Sequence, residues 1–344
     1  NTDFRWYDDV IHRTLTPEEP DKTLQYLPFI GFDVSKNRLF DTSFYFEMTS
    51  EYNHFYREEG LRGHRIDLHP RFSLPFYVKN FTLAPSIGLR ETVWQIDEFE
   101  DKDTEQDKTR TREIYDTKVN LSTDIYKIFG IKGKGIDKIK HGISPEVSYS
   151  FIPEKDQDDL PEFDGSDRIG KNNILSYSIT NTFTSRAPEP TEKEDGTTDY
   201  SYQEFLRLEL SQSYDINEAN DEDKEEKQPF SDIQAELDIK PLKYLSIEAD
   251  TTWSPYESVL LSSKVDLKLS DKRGDELLLR HRYKRDSSED RKDGKKSIYA
   301  ELVFSLSNRI AALFEYERNL YEDEDILKGF GLVYKAQCWS VGFR

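Results

Sequence analysis

The chain has a single cysteine, a single methionine and no apolar run approaching the roughly 20 residues that a transmembrane helix needs. Cys338 therefore has no partner for a disulfide within the chain. Because Met48 is the only methionine, Asn1 is not a natural start, and the chain is expected to be a mature segment or a fragment. Without a charged-then-apolar leader at its head, it carries no information about export. Positive charge is also short: 48 Lys+Arg stand against 68 Asp+Glu, a net charge of −20. Nucleic-acid phosphates would be repelled by that balance, so no nucleic-acid partner is expected. Hydrophobic residues make up only 35%, and a mean hydropathy of −0.81 would suit a soluble or partly disordered chain. Aromatics are not scarce, however. With 20 Tyr and 21 Phe, the chain has rings to bury, which disordered chains lack.

What is present almost everywhere is alternation. In "FYFEMTSEYNHFY" (44–56), Phe44, Phe46, Met48, Tyr52 and Tyr56 alternate with Glu47, Thr49, Glu51 and Asn53. In "RIDLHPRFSLPF" (65–76), Ile66, Leu68, Phe72 and Leu74 alternate with Arg65, Asp67, His69, Arg71 and Ser73. "SDIQAELDIK" (231–240) sets Ile233, Ala235, Leu237 and Ile239 against Gln234, Glu236 and Asp238. By this rule about sixteen strands are expected, many of them ten residues or longer. Short polar turns ("KN", "KPLK", "DKRGD", "SNR") follow every second strand. Longer acidic loops lie between them: 97–110, 154–171, 217–227 and 285–296. The segments 129–138 and 186–200 are long where short turns are expected.

Tight turns at one end and long loops at the other are the pattern of an outer-membrane barrel. The fold expected is all-β, a transmembrane antiparallel β-barrel. A soluble two-sheet protein also alternates, but its strands are shorter. Rings such as Phe44, Tyr56, Phe76, Phe81, Tyr149, Trp253 and Tyr334 near strand ends suit interfacial girdles. On a barrel, the residues of polar parity face the lumen. The candidates are Glu47, Glu51, Arg65, Asp67, Arg71, Arg90, Glu146, Arg207, Glu209, Glu236, Asp238, Glu248, Asp250, Glu301 and Glu315.

Chemistry is hard to find along the chain. His12, His54, His64, His69, His141 and His281 show no metal-ligand spacing, and neither a zinc-protease helix motif nor a serine elbow occurs. No catalytic residue, metal or cofactor is expected, and the protein is not read as an enzyme. The acids Asp156, Asp158, Asp159, Asp164 and Asp167 lack EF-hand order and are expected to lie in a solvated loop. His69 is expected to act as a hydrogen-bonding group of the lumen. Pro70, Pro75, Pro85 and Pro145 should mark bulges or bends in strands.

Several stretches resemble the barrel of the LptD family, the lipopolysaccharide-assembly or organic-solvent-tolerance proteins. They are "EGLRGHRIDLHPRFSLP" (59–75), "PSIGLRET" (85–92), "HGISPEVSYSFIPEKDQDDLPEFDGSDRI" (141–169), "FLRLELSQSYD" (205–215), "SDIQAELDIKPLKYLSIEADTTWSPY" (231–256) and "QCWSV" (337–341), in the family's order. No single motif decides the matter; together they run from about Leu24 to the end.

The resemblance implies that 1–344 is a single barrel domain and is partial. The periplasmic jelly roll, the first strands and the last strand of a larger barrel, of about 26 strands, would lie outside it, and with them the lateral gate. It also implies an outer-membrane location in a Gram-negative bacterium, lipopolysaccharide as cargo, a plug lipoprotein (LptE) in the lumen, and the periplasmic bridge protein LptA reached through the missing domain. Outer-membrane lipids would contact the wall. Family members usually carry adjacent cysteines before the tryptophan, bonded to the N-terminal domain. Here Gln337 precedes Cys338, so at most one such disulfide, to a cysteine outside this chain, is implied. A passive sixteen-stranded porin is the alternative function, and a soluble adhesin-like β protein the alternative class.

Overall fold

The computed structural model describes residues 2–5, 22–99, 107–131, 135–192, 198–285 and 294–343. Parts of the loops 97–110 and 285–296, and His12, lie outside the described residues. Among the described residues nineteen strands belong to one sheet. The strand pairs set out residue by residue below are all antiparallel. Among the described residues no helix is long and apolar enough to cross a membrane. The all-β expectation holds.

The excess over sixteen has a simple origin. Thr2–Arg5 (β1) is a short strand that the alternation does not mark. Two expected ribbons are each broken once: Arg62–Ser73 (β4) is separated from Phe76–Val78 (β5) at Leu74 and Pro75, and Thr109–Thr123 (β7) from Ile125–Gly130 (β8) at Asp124. Pro75 thus interrupts its ribbon, as a residue without an N–H should. Pro70 does not: it pairs with Met48, and the register to the next strand is the same on either side of it.

By proximity the chain divides into two compact sets of residues. The first comprises Asn1–Leu121, Ser148–Leu175 and Asp215–Asn217. It contains β1, Gln25–Arg38 (β2), Tyr45–Tyr56 (β3), β4, β5 and Phe81–Glu98 (β6), together with most of β7. Here Glu51 is opposite Asp67 and Asp67 opposite Thr92; Asn53 is opposite Arg65 and Arg65 opposite Trp94. Residues directly opposite in an antiparallel pair share a face, so these line one polar side of the ribbon.

The second comprises Ser122–Val147, Ser176–Tyr214 and Glu218–Arg344. Its most regular part runs through Thr198–Asp215 (β11), Ile233–Leu242 (β12), Leu245–Ser254 (β13), Val259–Ser270 (β14), Glu276–Lys284 (β15), Lys295–Ser305 (β16), Ile310–Asn319 (β17) and Glu324–Lys335 (β18). Rows of opposed residues cross it. One reads Arg207, Asp238, Glu248, Asp266, Arg280, Tyr299 and Glu317; the row one residue over reads Leu206, Ile239, Ile247, Leu267, Leu279, Ala300 and Tyr316. Period two along each strand has become charged rows and apolar rows across them. Leu237, Ile247 and Leu302 stand on the apolar side. Long strands with two unlike faces and large exposed apolar side chains such as Leu302, Phe314 and Phe330 are the features of a wall between water and lipid.

Candidate functional site

The polar side of β3, β4, β6 and β7 is not open. The segment 153–171 folds back over it and buries its charges. Its "LPEFDGSD" core forms one 3-10 turn, Gly165–Asp167, capped reciprocally. The Asp164 carboxylate accepts from the Ser166 N–H, and the Asp167 carboxylate accepts from the Asp164 N–H. Phe163 stacks on Phe55 with centroids 4.4 Å apart. Phe55, Trp94 and Phe163 form a small buried cluster, with Leu160 and Leu61 against it.

Beneath the turn, Arg65 donates from Nη1 to Asp164 Oδ1 (2.7 Å) and Asp167 Oδ1 (2.8 Å), and from Nη2 to Asp164 Oδ2 (3.1 Å). Trp94 Nε1 donates to the same Asp167 Oδ1 at 2.8 Å. Asp167 Oδ2 accepts from the Phe163 N–H at 2.7 Å. Arg112, fully buried, donates to the Asp167 carbonyl (2.6 Å), to Gln157 Oε1 (3.0 Å) and to Thr92 Oγ1 (3.0 Å). The Thr92 hydroxyl donates in turn to Asp67 Oδ2 at 2.6 Å, and Arg90 Nε donates to both Asp67 oxygens at 2.9 Å. Arg65 also lies over the Phe55 ring and Arg112 over the Trp94 ring. A buried charge is costly unless paired and hydrogen-bonded; Arg65 meets two carboxylates, whereas Arg112 meets neutral acceptors, and the Nε of each has no hydrogen-bond partner among the described residues. Burial works against ionisation of Asp164, but hydrogen bonds and attraction from Arg65 outweigh it, leaving this loop carboxylate below its ordinary pKa.

Two of the five loop acids are therefore clamps, not solvated charges. The expectation of a solvated loop fails at Asp164 and Asp167 because arginines on distant strands reach them. Further along the same face, Asp116 holds His69 (3.0 Å) and Arg71, with Glu47 3.8 Å from Arg71. His69 is a hydrogen-bonding group of this face, as expected. The pair lies over Gly88, where an added Cβ would stand 2.1 Å from Asp116 Oδ2. Only a residue without a side chain leaves room for it.

The remaining polar-parity candidates are spread along the wall. In the second set of residues Glu209, Glu236 and Asp250 share a row, as do Arg207, Asp238 and Glu248. Lys264 lies 3.9 Å from Asp250 and 3.5 Å from Asp266, and Arg280 binds both oxygens of Asp266. Glu301 and Glu315 are opposite one another, and both accept from Tyr299 Oη. Glu146 is exposed on Lys138–Ile152 (β9). Cys338 carries a free, exposed thiol. Alternation puts it in a strand over 338–344; it lies instead in the turn closed by the Ala336 N–H to Trp339 carbonyl bond, and the strand that follows, Ser340–Phe343 (β19), begins only after that turn.

Sequence patterns alone do not mark Trp94, Arg112, Asp164 and Asp167 as one cluster. A tryptophan at polar parity beside Thr92 and Arg90 is the visible signal. The spacing of Asp164 and Asp167, a reciprocal cap, is the other.

Comparison with known proteins points one way. A family model described as LptD, LPS transport system D, matches residues 5–312. A protein of Hahella chejuensis named LPS-assembly protein LptD is 27% identical over 172 residues, 41% of this chain and 20% of that protein. One of the same name from Alkalilimnicola ehrlichii is 22% identical over 303 residues, 81% of this chain and 37% of that one. The chain thus spans between a fifth and two fifths of the length of these relatives. Among solved structures, the copper transporter OprC covers 93% of this chain and 59% of its own at 10% identity, with a TM-score of 0.29.

Proposed function

The chain belongs to the LptD family, and from that membership we propose that it is most of the barrel wall of an outer-membrane translocon that inserts lipopolysaccharide into the outer leaflet. The observation that carries this reading is the family match along residues 5–312 of a chain whose strands have one charged and one apolar face. Its place is the outer membrane of a Gram-negative bacterium. Lipopolysaccharide is amphiphilic, and a two-faced wall suits it: the apolar rows stay in lipid while the charged rows hydrate the sugars without gripping them. The work is passage and insertion, not bond chemistry.

The two regions would divide that work. The polar side of β3, β4, β6 and β7 is occupied by the segment 153–171. The polar rows of β12–β16 carry no such cover among the described residues, so the sugar chain would track Glu236, Glu248 and Asp250. A plug lipoprotein of the LptE kind would share this polar face. LptA would deliver cargo through a periplasmic domain outside this chain. Cys338, exposed in its turn, would bond a cysteine of that domain in the oxidising periplasm, holding the two parts in line. A free thiol at Cys338 in mature full-length protein, read by mass spectrometry without reduction, would count against that bond.

The test of the main reading is in-cell photo-crosslinking from single positions in the full-length protein. Probes at Glu236 and Glu248 should capture lipopolysaccharide, and a probe at Arg112 should not. Absence of lipopolysaccharide adducts at every polar-row position, together with liposome swelling by small solutes, would replace the translocon with a diffusion pore.

A further inference from the structure

On the side of β3, β4 and β6 opposite the Arg65 cluster, the fold brings together three side chains that the linear sequence keeps apart. His54 and His64 are directly opposite on β3 and β4, their rings stacked with centroids 4.3 Å apart. Asp97 lies near the end of β6, at a point where the register slips: Gly63 is opposite Ile96 but Arg62 is opposite Glu98. Asp97 is the extra residue of a bulge, and a bulge re-aims its side chain. Its Oδ2 lies 3.4 Å from His64 Nε2 and 4.0 Å from His54 Nε2, and the three possible ligand atoms all lie within 4.8 Å of one another. Gly63 lets the bulge approach, since a Cβ there would be 2.3 Å from the Gln95 carbonyl and 3.2 Å from the Asp97 nitrogen.

The outer nitrogens are already committed. His54 Nδ1 is 2.6 Å from the Leu27 carbonyl, an acceptor only, so it must carry a proton. A neutral His54 then turns a bare Nε2 lone pair towards the Asp97 carboxylate, acceptor facing acceptor. His64 Nδ1 is held by Tyr52 Oη at 2.9 Å. A cation between the three groups satisfies all of them at once. Two imidazoles and a carboxylate, each imidazole braced through its other nitrogen, are a zinc-type donor set with a fourth position left for water. Tetrahedral coordination at about 2.0–2.1 Å asks for ligand atoms roughly 3.3 Å apart. The His64–Asp97 distance of 3.4 Å already fits, whereas His54 Nε2 must close from 4.0 Å on Asp97 and from within 4.8 Å on His64.

We propose that His54, His64 and Asp97 bind one divalent transition-metal ion of the zinc class, clipping three strands together at the end where the longer loops lie. The inference stands apart from the translocation reading, since it concerns only this constellation. The experiment uses the full-length protein in detergent, stripped with chelator, and titrated first with Co²⁺ and then with Zn²⁺. Visible ligand-field bands should rise to one equivalent of Co²⁺ and vanish on Zn²⁺ addition. His64→Gln and Asp97→Asn, each checked for assembly by heat-modifiable migration, should weaken binding by about 100-fold. Tyr52→Phe, which keeps all three ligands, should weaken it by about tenfold. His281→Gln, elsewhere in the fold, should change nothing. On wild-type protein, Zn²⁺ should also protect His54 and His64 from acylation by diethylpyrocarbonate, a readout that needs no variant to fold. No cobalt bands and no zinc-dependent protection, or undiminished binding in the His64 and Asp97 variants, would overturn the proposal.

Discussion

The loops 154–171 and 217–227 are both rich in Asp, Glu and Lys and end in opposite surroundings. The first places Asp167 in full burial, against Arg65, Trp94 and Arg112. The second makes one short helix, Ile216–Asn220 (α1), pairs Lys224 with its own Glu218, and leaves 222–228 exposed. The difference lies in what accompanies the acids. Loop 154–171 also has Leu160, Phe163 and Ile169, apolar groups that favour leaving water, and the wall below offers arginines. Loop 217–227 has only Ala219 among its charges. Acidity alone does not say whether a loop is solvated; an interleaved aromatic and a waiting cation decide it.

The harshest test of that contrast is Asp167→Ala. It leaves the Arg65 charge short of a partner and the Trp94 N–H unpaired inside the protein, and should destabilise the pinned segment by about 3–5 kcal/mol. Rapid protease cleavage within 154–171, with loop 217–227 cut at the wild-type rate, is the expected outcome. Equal resistance of mutant and wild type would mean the network contributes little.

Next in size is a comparison of the two faces. Leu237→Arg should cost about 2–4 kcal/mol if position 237 lies near the bilayer midplane, whereas Glu236→Arg, one residue away, should be far milder. Urea titration of folding into lipid vesicles measures both. Equal costs would reverse the assignment of faces.

A gentler probe is acid. Because the Asp164 pKa is depressed in the folded state, its contribution is complete above the ordinary Asp value near 4 and is lost only as pH falls through the lower, folded one. Quenching of Trp94 fluorescence, with the other tryptophans replaced by phenylalanine, should therefore stay low at neutral and mildly acidic pH and rise only in stronger acid. Asp164→Asn should abolish that step. Smallest of all, neutralising Glu222, Asp223, Glu225 and Glu226 to their amides should shift stability by no more than about 0.5 kcal/mol. A larger loss would show that the second loop is docked after all.

Much of this protein is legible in the sequence alone. Period two names the face of each residue locally, because successive side chains of a strand point to opposite sides. It therefore locates sixteen ribbons, separates tight turns from long loops, and places Glu236 and Glu248 on one side and Leu237 and Ile247 on the other. The strand pairing agrees with those rows; the short β1, the breaks at Leu74–Pro75 and Asp124, and the turn that holds Cys338 escape. Alternation is silent about which residues of one face meet. That depends on register, bulges and loop return, which join positions far apart in the chain: Arg65 and Asp167 are 102 residues apart, and Trp94 and Asp167 are 73 apart. The same holds for His54, His64 and Asp97, whose convergence needs two antiparallel pairings and one slipped residue beside Gly63. Local side-chain parity is written in neighbouring residues and can be read from them. The meeting of distant residues is settled by backbone hydrogen bonding between strands, and so only the tertiary structure decided it.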